Sequence, residues 1–474
     1  MLKIEEIKTL ISNDKGSELK SKARKGDEYY RGIHDIRNYR MFYYDADGNL
    51  VEDKFRSNIK ISHPFFTELV DQCTQYMFSG EEIVKSKIPE LQELLDNYFG
   101  AEFINELVDC ATDCKSRGFG YMYAYKSSEG RTKFLHADSM NVVEVRETES
   151  DDNCKYVIYY YVERIGKNKE LITKIQVWDK DFVYYYVEDG NGKITIDKSV
   201  ELNPRPHIVY EKKGEEYGAS LGYIPFFKLK NNKFETSDLY TVKPLIDDYD
   251  LMACGLSNNI QDFDFPIYAV SGFQGDNLDE LITNFKTKKT VGVGEGGSVD
   301  VKTIDIPYQA RLSKLELDEK NIYRFGMGFN SAQLGDGNIT NVVIKSRYAL
   351  LDLKCNKFEK QLRAFLSKIA QIVLDEINTE NGTDYSLKDI CFKFEREVMT
   401  NASDNASIEK IEADTKAVII NTLLNVANVI DKETIIKAIC EVLDIDYEEI
   451  KDKLPKSEME LNQEAEKLLE GTEV

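Results

Sequence analysis

The stretch VVIKSRYALLDLKCNKFEKQLRAFLSKIAQIVLDEIN, residues 342–378, decides the fold. Its apolar residues recur at steps that alternate strictly between four and three, which is the heptad pattern of a helix packing along one seam. At about 1.5 Å per residue this helix would be about 55 Å long, roughly three times an ordinary globular helix. We therefore predict one very long helix behind an Asn341 cap, with a seam formed by Ile344, Tyr348, Leu351, Cys355, Phe358, Leu362, Phe365, Ile369 and Ile372.

Two shorter helices precede it, at 237–263 and 308–329. Ser237 is a suitable N-cap for the first, and Pro244 marks either a kink in that helix or its true beginning. The second opens after Pro307. The predicted apolar stripes are Leu239, Val242, Ile246, Tyr249, Leu256, Ile260 and Phe263 on the first helix, and Leu312, Leu315, Ile322 and Phe325 on the second.

Two interruptions separate the three helices. Residues 264–306 indicate a compact insertion with the order strand, short helix, strand, strand. Residues 330–340, NSAQLGDGNIT, form a polar, glycine-containing loop. Two helices that leave a body, carry a small module and return are typical of a stalk with a cap, which suggests a unit repeated in a ring.

The first half of the chain predicts helices followed by an antiparallel sheet. Helical patterns run to Arg117, and from Tyr121 the apolar period changes to two, with a reliable hairpin turn at 189–192 (DGNG). The fold class is therefore α+β. The tyrosine runs 159–161 and 184–186 suggest either a platform for base stacking or, with more support, cover for a two-sided sheet at a subunit contact.

Charge and cysteine content restrict the function classes. The net charge of −22 argues against a protein that coats nucleic acid, and is consistent either with a conduit that DNA does not stick to or simply with solubility. The eight cysteines show no zinc spacing, so we expect reduced, buried thiols. The N-terminus lacks a signal-peptide pattern and no apolar run is long enough for a membrane span.

No motif predicts catalysis, a cofactor or a metal. The glycines of GVGEGG at 292–297 match a dinucleotide fingerprint, but a strand pattern follows where a helix is required, so we interpret them as a glycine-rich β-turn. Residues 45–48 (DADG) lack calcium-loop spacing and predict a hairpin turn. Asp247, Asp248 and Asp250 have no basic or histidine neighbours in sequence, so a solvated acidic face is favoured over a metal or acid–base site.

The order of these segments resembles the phage portal proteins of the SPP1 type, over about residues 20–450. The resemblance is carried by 58–62 (NIKIS) with 65–66 and 70–72, by 222–225 (GYIP) with 231–232, by 237–239 with 245–249 (LIDDY), and by 337–347 with the long helix. One departure concerns the start of that helix, where this chain has Thr340 and Asn341 in place of the Ser-Gly pair common in the family.

The resemblance implies an α+β wing, a two-helix stem, a small α/β clip, a channel loop, a long kinked wing helix and a helical crown. The implied channel loop includes Gln333, Leu334, Gly335, Asp336, Gly337 and Asn338, with Lys345 as the nearest cation, and the implied clip includes Phe273, Phe285, Gly292, Gly294 and Gly297. The implied parts are the wing at 1–236, stem helices at 237–263 and 308–329, the clip at 264–307, the channel loop at 330–341, the long helix at 342–384, the crown at 385–454, and an acidic, disordered tail at 455–474.

The resemblance also implies what the protein does. It would form a ring of about twelve copies at one vertex of the virion capsid. The ring would assemble in the host cytoplasm, and double-stranded DNA would pass through it with only weak binding. Its partners would be the terminase large subunit, the major capsid or scaffolding protein and a head-completion adaptor. The resemblance implies no membrane contact, no cofactor and no catalysis. The alternatives are a ring or adaptor of a phage tail, which would lack the clip, and a metal-dependent nucleic-acid enzyme.

Overall fold

A computed structural model of the chain describes residues 1–80, 82–127, 130–148, 154–165, 170–212, 215–263, 267–273, 275, 277–283, 291–302, 306–330, 341–396, 402–425 and 432–443. The described residues form two compact units. The first lies within Met1–Leu334 and Arg347–Glu397, and the second within Gly335–Ser346 and Val398–Val474.

The described residues contain both helices and strands, and most strands follow one another between residues 119 and 230, so the predicted α+β class is confirmed. The helices are α1 (Ile4–Lys15), α2 (Glu18–Tyr30), α3 (Phe65–Met77), α4 (Pro89–Asp96), α5 (Ala101–Arg117), α6 (Lys243–Phe263), α7 (Leu278–Thr283), α8 (Tyr308–Gly326), α9 (Asn341–Asn381), α10 (Ala402–Asn425) and α11 (Lys432–Leu443). The strands are β1 (Phe42–Tyr44), β2 (Leu50–Glu52), β3 (Val84–Ser86), β4 (Phe119–Lys126), β5 (Thr132–Ala137), β6 (Val142–Val145), β7 (Tyr156–Ile165), β8 (Glu170–Trp178), β9 (Phe182–Glu188), β10 (Ile194–Ile196), β11 (Arg205–Pro206), β12 (Ile208–Lys212), β13 (Glu215–Ala219), β14 (Phe226–Lys230), β15 (Ile267–Phe273), β16 (Val293–Lys302) and β17 (Ile390–Phe392).

The main antiparallel sheet has the order β10-β9-β8-β7-β6, with β11 also paired to β9. Both of its faces are covered within one chain, because successive side chains of a strand point to opposite faces. Tyr160 and Tyr186 pack into a core with α1, while Tyr159 and Tyr185 pack against a second core that includes Phe119 of β4. The tyrosines therefore do cover a two-sided sheet, and the expected contact with another subunit stays a prediction.

The polar sequence 45–48 forms a hairpin turn between β1 and β2, as predicted. Tyr44 pairs with Leu50 across the turn, the Asp45 N–H donates to the Asn49 carbonyl at 3.0 Å, and Gly48 adopts φ +81°. Residues 45–48 therefore form a hairpin turn and not a calcium-binding loop. Phe55, just beyond this hairpin, is 93% exposed, and Phe42, Tyr44 and Leu50 are exposed as well.

The stem helices differ from their predicted bounds at one end each. Ser237 caps a 3-10 turn over Asp238–Thr241, and the α-helix begins at Lys243, so Pro244 marks a beginning rather than a kink. Helix α8 stops at Gly326 instead of residue 329, because Met327 takes a left-handed conformation with φ 54°. Gly328 passes close to α3, where a Cβ would lie 2.2 Å from Leu69 Cδ2.

The long helix α9 spans 41 residues and buries most of its predicted seam. Leu351, Cys355, Phe358, Leu362, Phe365 and Ile369 are all buried. Beyond Ile369 the buried positions shift to Val373, Leu374 and Ile377, and the predicted Ile372 is only half-buried. A straight helix repeats every 3.6 residues, so its buried face drifts away from a strict heptad seam. Tyr348 is half-buried and stacks on Phe329 with ring centroids 4.5 Å apart, and the Ile344 side chain lies outside the described part.

Strands β3, β11, β13 and β14 and helix α4 were not predicted, and neither was the pairing of β3 with β17, in which Cys391 faces Lys85. This pairing puts residues 390–392, which the resemblance assigns to the crown, in the same sheet as the first part of the chain. In the second unit, α10 and α11 form a helix pair that buries Ile435 and Cys440. The last residues assigned to the crown, 444–454, and the acidic tail lie outside the described residues.

Candidate functional site

The candidate site is the helix pair α6 and α8, which the resemblance predicts to be the stem, together with the module between them. Lys314 of α8 holds the two helices together, because its ammonium lies 2.5 Å from Asp248 of α6 and 2.5 Å from Asp318 of α8. Gly255 of α6 leaves room for Arg311, whose guanidinium lies 2.7 Å from the place where a Cβ would sit. The two helices therefore cross closely and are joined by charge.

An extended segment, residues 57–63, runs along α6 and binds it through a ladder of hydrogen bonds. The backbone N–H groups of alternate residues donate to side chains four apart on the helix. Two extended residues advance about 6.6 Å and four helical residues about 6.0 Å, so the two repeats stay in step. The pairs are Ser57 to Asp262 at 3.0 Å, Ile59 to Asn258 at 2.7 Å, Ile61 to Cys254 at 3.2 Å and His63 to Asp250 at 3.0 Å.

Asp250 is the buried end of this ladder and binds two histidines. Its Oδ2 atom lies 2.6 Å from Nδ1 of His34, and its Oδ1 atom lies 2.7 Å from Nδ1 of His63. The Asp250 and His34 side chains are fully buried. Burial acts to raise the pKa of Asp250, but the hydrogen bonds from His34 and His63 outweigh it and hold that pKa below its ordinary value. The carboxylate thus stays ionised and joins α6 to two distant parts of the chain.

The interpretation of Asp247, Asp248 and Asp250 as a solvated acidic face is wrong for Asp250. The other two aspartates each form an ion pair with a lysine. Asp247 accepts from the Tyr29 hydroxyl and lies 2.7 Å from Lys243. The partners come from chain positions up to 218 residues away, which sequence proximity does not indicate. One signal was present: Asp250, Cys254, Asn258 and Asp262 recur every four residues, as a helix face of acceptors does.

The module between the stem helices consists of β15, α7 and β16. The described residues contain the predicted strand and short helix in that order, followed by a strand, β16. The other of the two later strands stays a prediction, because 284–290 and 303–305 lie outside the described part. Ser271 faces Ser298 across the sheet, and the register shifts between Ser271 and Phe273. Phe273 pairs with Val293, and the predicted Phe285 lies outside the described residues.

The glycines of 292–297 serve this two-stranded sheet and not a turn, which corrects their predicted role. Gly294 and Gly297 lie within β16, and Gly292 immediately precedes it. A Cβ on Gly297 would lie 2.7 Å from the Ser271 carbonyl oxygen, so the bulge requires glycine there. No helix follows these glycines, so the arrangement that a dinucleotide site needs is not formed.

The predicted channel-loop residues Gln333, Leu334, Gly335, Asp336, Gly337 and Asn338 lie outside the described part of the chain. At the near edge, Asn330 donates to Glu319 of α8 at 2.9 Å. At the far edge, Lys345 is exposed on the first turns of α9.

Within the described ranges, no group of three or more histidine, cysteine, aspartate or glutamate side chains could hold a metal ion. Among the same residues, no helix is both long and apolar enough to cross a membrane.

Comparisons with known proteins agree with this arrangement. The family model described as "Phage portal protein, SPP1 Gp6-like" matches residues 11–467. The portal protein of Bacillus phage SPP1 is 29% identical over 388 residues, covering 80% of this chain and 75% of that protein. The portal protein of Clostridium phage phiCD119 is 25% identical over 429 residues, covering 86% and 89% respectively. The chain belongs to the SPP1 Gp6-like family of phage portal proteins.

Proposed function

We propose that this chain forms the portal ring at one capsid vertex, through which viral double-stranded DNA is packaged and ejected. Family membership supports the proposal, and the observation that carries it is the uncovered apolar surface of the stem. The buried positions of α6 are Ile246, Asp250, Cys254 and Asn258, yet apolar side chains on both helices stay exposed. They are Ile260, Phe263, Tyr308, Leu312, Leu317 and Phe325.

A ring explains this exposure. In a closed cyclic assembly each stem lies between two identical neighbours, and the contacts are heterologous, so apolar side chains on one side of a stem are covered by the opposite side of the next copy. Contiguous exposed apolar surface is unusual in a monomer and typical of an interface. The hairpin β1–β2 supports the same conclusion, because a two-stranded hairpin is marginal alone and this one exposes Phe42, Tyr44, Leu50 and Phe55.

We assign the parts of the ring to the ranges that the resemblance implies. The wing takes 1–236 and 342–384, the stem takes α6 and α8, and the crown takes 385–454. The clip, 264–307, contains the β15–β16 sheet, whose Val299 and Val301 are exposed. This module between paired helices favours a portal over a tail ring or adaptor, which would lack it.

The clip is the proposed docking site for the terminase large subunit and, after packaging, for a head-completion adaptor. The wing is the proposed contact for the major capsid or scaffolding protein. The motor ATPase is a separate protein, so the ring itself performs no catalysis. The chain would assemble in the host cytoplasm and remain in the virion.

DNA would pass through the ring with weak contacts and without sequence preference. The net charge of −22 repels phosphate. The loop 330–341 contains Asp336 as its only charged residue and no lysine or arginine, so it lacks the groups that grip a phosphate backbone. Contacts with DNA would be steric and transient.

Negative-stain microscopy and native mass spectrometry of the purified protein test the proposal. The wild-type chain should form rings of about twelve copies with a central hole. The double variant Tyr44→Asp/Phe55→Asp should lose the ring while its thermal unfolding stays unchanged. The matched control Phe234→Asp alters a side chain that is 76% exposed and outside both surfaces, and should leave rings intact. Compact wild-type monomers at micromolar concentration would overturn the proposal.

A further inference from the structure

Two buried cysteines meet where α3 packs against α9. The Sγ atoms of Cys73 and Cys355 lie 3.7 Å apart, although 282 residues separate them in the chain. Both side chains are completely buried. At this distance one thiol donates a weak hydrogen bond to the other sulfur, so the two groups form a pair.

The surroundings of this pair contain more positive than negative charge. Lys115 and Lys354 share one carboxylate, Asp238, at 3.6 Å and 3.0 Å. Lys115 and Lys354 are 3% and 8% exposed. Buried ammonium groups need compensating negative charge, and one carboxylate compensates only one of the two. The two ammonium groups also donate to neutral oxygens, Lys115 to Asn231 at 3.0 Å and Lys354 to the Gly326 carbonyl at 3.1 Å. A thiolate at Cys73 would supply the second negative charge.

The acidities of the buried thiols follow this arrangement. The hydrogen bond from Cys355, opposed by burial and assisted by the ammonium groups of Lys115 and Lys354, lowers the pKa of Cys73 to about 6. The same hydrogen bond and burial raise the pKa of Cys355. By contrast, burial raises the pKa of Cys110 and of Cys114, one turn apart on α5. Thiolate character, which controls cysteine reactivity, is therefore concentrated at Cys73.

We propose that Cys73 and Cys355 are a redox-active thiol pair, in which Cys73 is the peroxide-reactive thiolate and Cys355 the resolving thiol. The product is a disulfide that ties α3 to α9. Such a bond would form when the protein leaves a reducing environment and meets peroxide.

The reaction is complete with hydrogen peroxide as the oxidant. The Cys73 thiolate attacks one peroxide oxygen, the O–O bond breaks, and hydroxide leaves as Cys73 becomes a sulfenic acid. The Cys355 sulfur then attacks Cys73 Sγ, the S–O bond breaks, and the Cys355 proton leaves with the hydroxyl group as water. The sulfur atoms close from 3.7 Å to a bond of about 2.05 Å. Hydrogen peroxide is small, and local opening of the core admits it.

The test uses the full chain with Cys154→Ser and Cys391→Ser, which removes the cysteines that are not buried. The native protein is exposed to hydrogen peroxide, alkylated in denaturant and analysed by peptide mass spectrometry. We expect a linked Cys73–Cys355 peptide, while Cys110 and Cys114 remain fully alkylated. Adding Cys355→Ser should abolish the linked peptide and leave a sulfenic acid at Cys73 that dimedone traps.

Two results would overturn the proposal. One is alkylation of Cys73 and Cys355 to the same extent as Cys110 after peroxide treatment. The other is a linkage of Cys73 to any cysteine except Cys355. Because the background chain keeps the pair itself intact, neither result depends on whether a variant at Cys73 or Cys355 folds.

Discussion

Nδ1 of His63 lies 2.7 Å from Oδ1 of Asp250, and the His63 backbone N–H donates to the same oxygen at 3.0 Å. Because Asp250 belongs to α6 and His63 lies two residues before the start of α3, this double contact joins α6 to the first part of the chain. Asp250→Asn should lower the free energy of unfolding by about 3 kcal/mol, since it removes the charge of a buried, hydrogen-bonded carboxylate. Urea unfolding followed by circular dichroism measures the change.

Asp248→Asn is the matched control for Asp250→Asn. Asp248 also lies on α6 and pairs with a cation, Lys314, but its side chain is 39% exposed. An exposed ion pair contributes less than about 1 kcal/mol. Equal destabilisation by the two variants would contradict the buried role assigned to Asp250.

The free energy of unfolding should fall as the pH is lowered, in part because Asp35 becomes protonated. Burial acts to raise the pKa of Asp35, but hydrogen bonds and charge from Lys243 and Lys25 lower it to about 2. A carboxyl group whose pKa is lower in the folded chain than in the unfolded chain stabilises the fold at pH values above its unfolded pKa, about 3.9. That stabilisation is lost as the pH falls through its folded pKa. We expect Asp35→Asn to weaken the pH dependence of the free energy of unfolding between pH values of about 4 and 2. An unchanged slope in urea titrations across that window would contradict this.

Phe358 is a large side chain buried within the seam of α9, with 1% exposure. The Lys115 ammonium lies 4.1 Å from its ring centroid, adding a cation–π contact. Phe358→Ala should lower the free energy of unfolding by about 3–5 kcal/mol. Leu353→Ala on the same helix removes a side chain that is 58% exposed and should change it by less than about 0.5 kcal/mol. A melting temperature of Phe358→Ala equal to that of the control would refute the buried seam.

Local patterns predicted most of the elements, because hydrophobic periodicity reflects which face of an element is buried. The long helix and the β7, β8 and β9 strands follow directly from their periods of 3.5 and two. The heptad prediction fails at Ile372, because a straight helix repeats every 3.6 residues and its buried face drifts away from a seam with a period of 3.5. Strand β3 was missed because three residues carry too little periodicity to distinguish a strand from a loop.

The contacts that define the site could not be predicted in the same way. Asp250 meets His34 and His63 across 216 and 187 residues, and Cys73 meets Cys355 across 282. Such contacts depend on how elements pack, and no local pattern encodes which polar group will face another. The acceptors spaced four apart on α6 indicated a polar face, but the extended partner 57–63 gave no matching signal.

The clip should be dispensable for folding and essential for docking the motor. Its β15–β16 sheet has two strands, pairs only with itself among the described residues, and exposes Val299 and Val301. Replacing residues 267–304 by a short glycine–serine linker should leave the melting temperature of the remainder unchanged and abolish binding of the terminase large subunit. Pull-down with purified terminase and packaging in an extract measure the outcome. Normal DNA packaging by the deletion variant would exclude the clip as the docking module.

The loop 330–341 should line the DNA path. Its Gln333 and Asn338 offer neutral hydrogen-bonding groups, and Asp336 is its only charge. Since no lysine or arginine is present, the loop should contact DNA without gripping it. Gln333→Cys, cross-linked between neighbouring copies in the assembled ring, should stall DNA translocation while the ring remains intact. Phe234→Cys, cross-linked by the same reagent outside the proposed path, controls for the chemistry. Packaging at the normal rate by fully cross-linked Gln333→Cys particles would show that the loop lies away from the DNA.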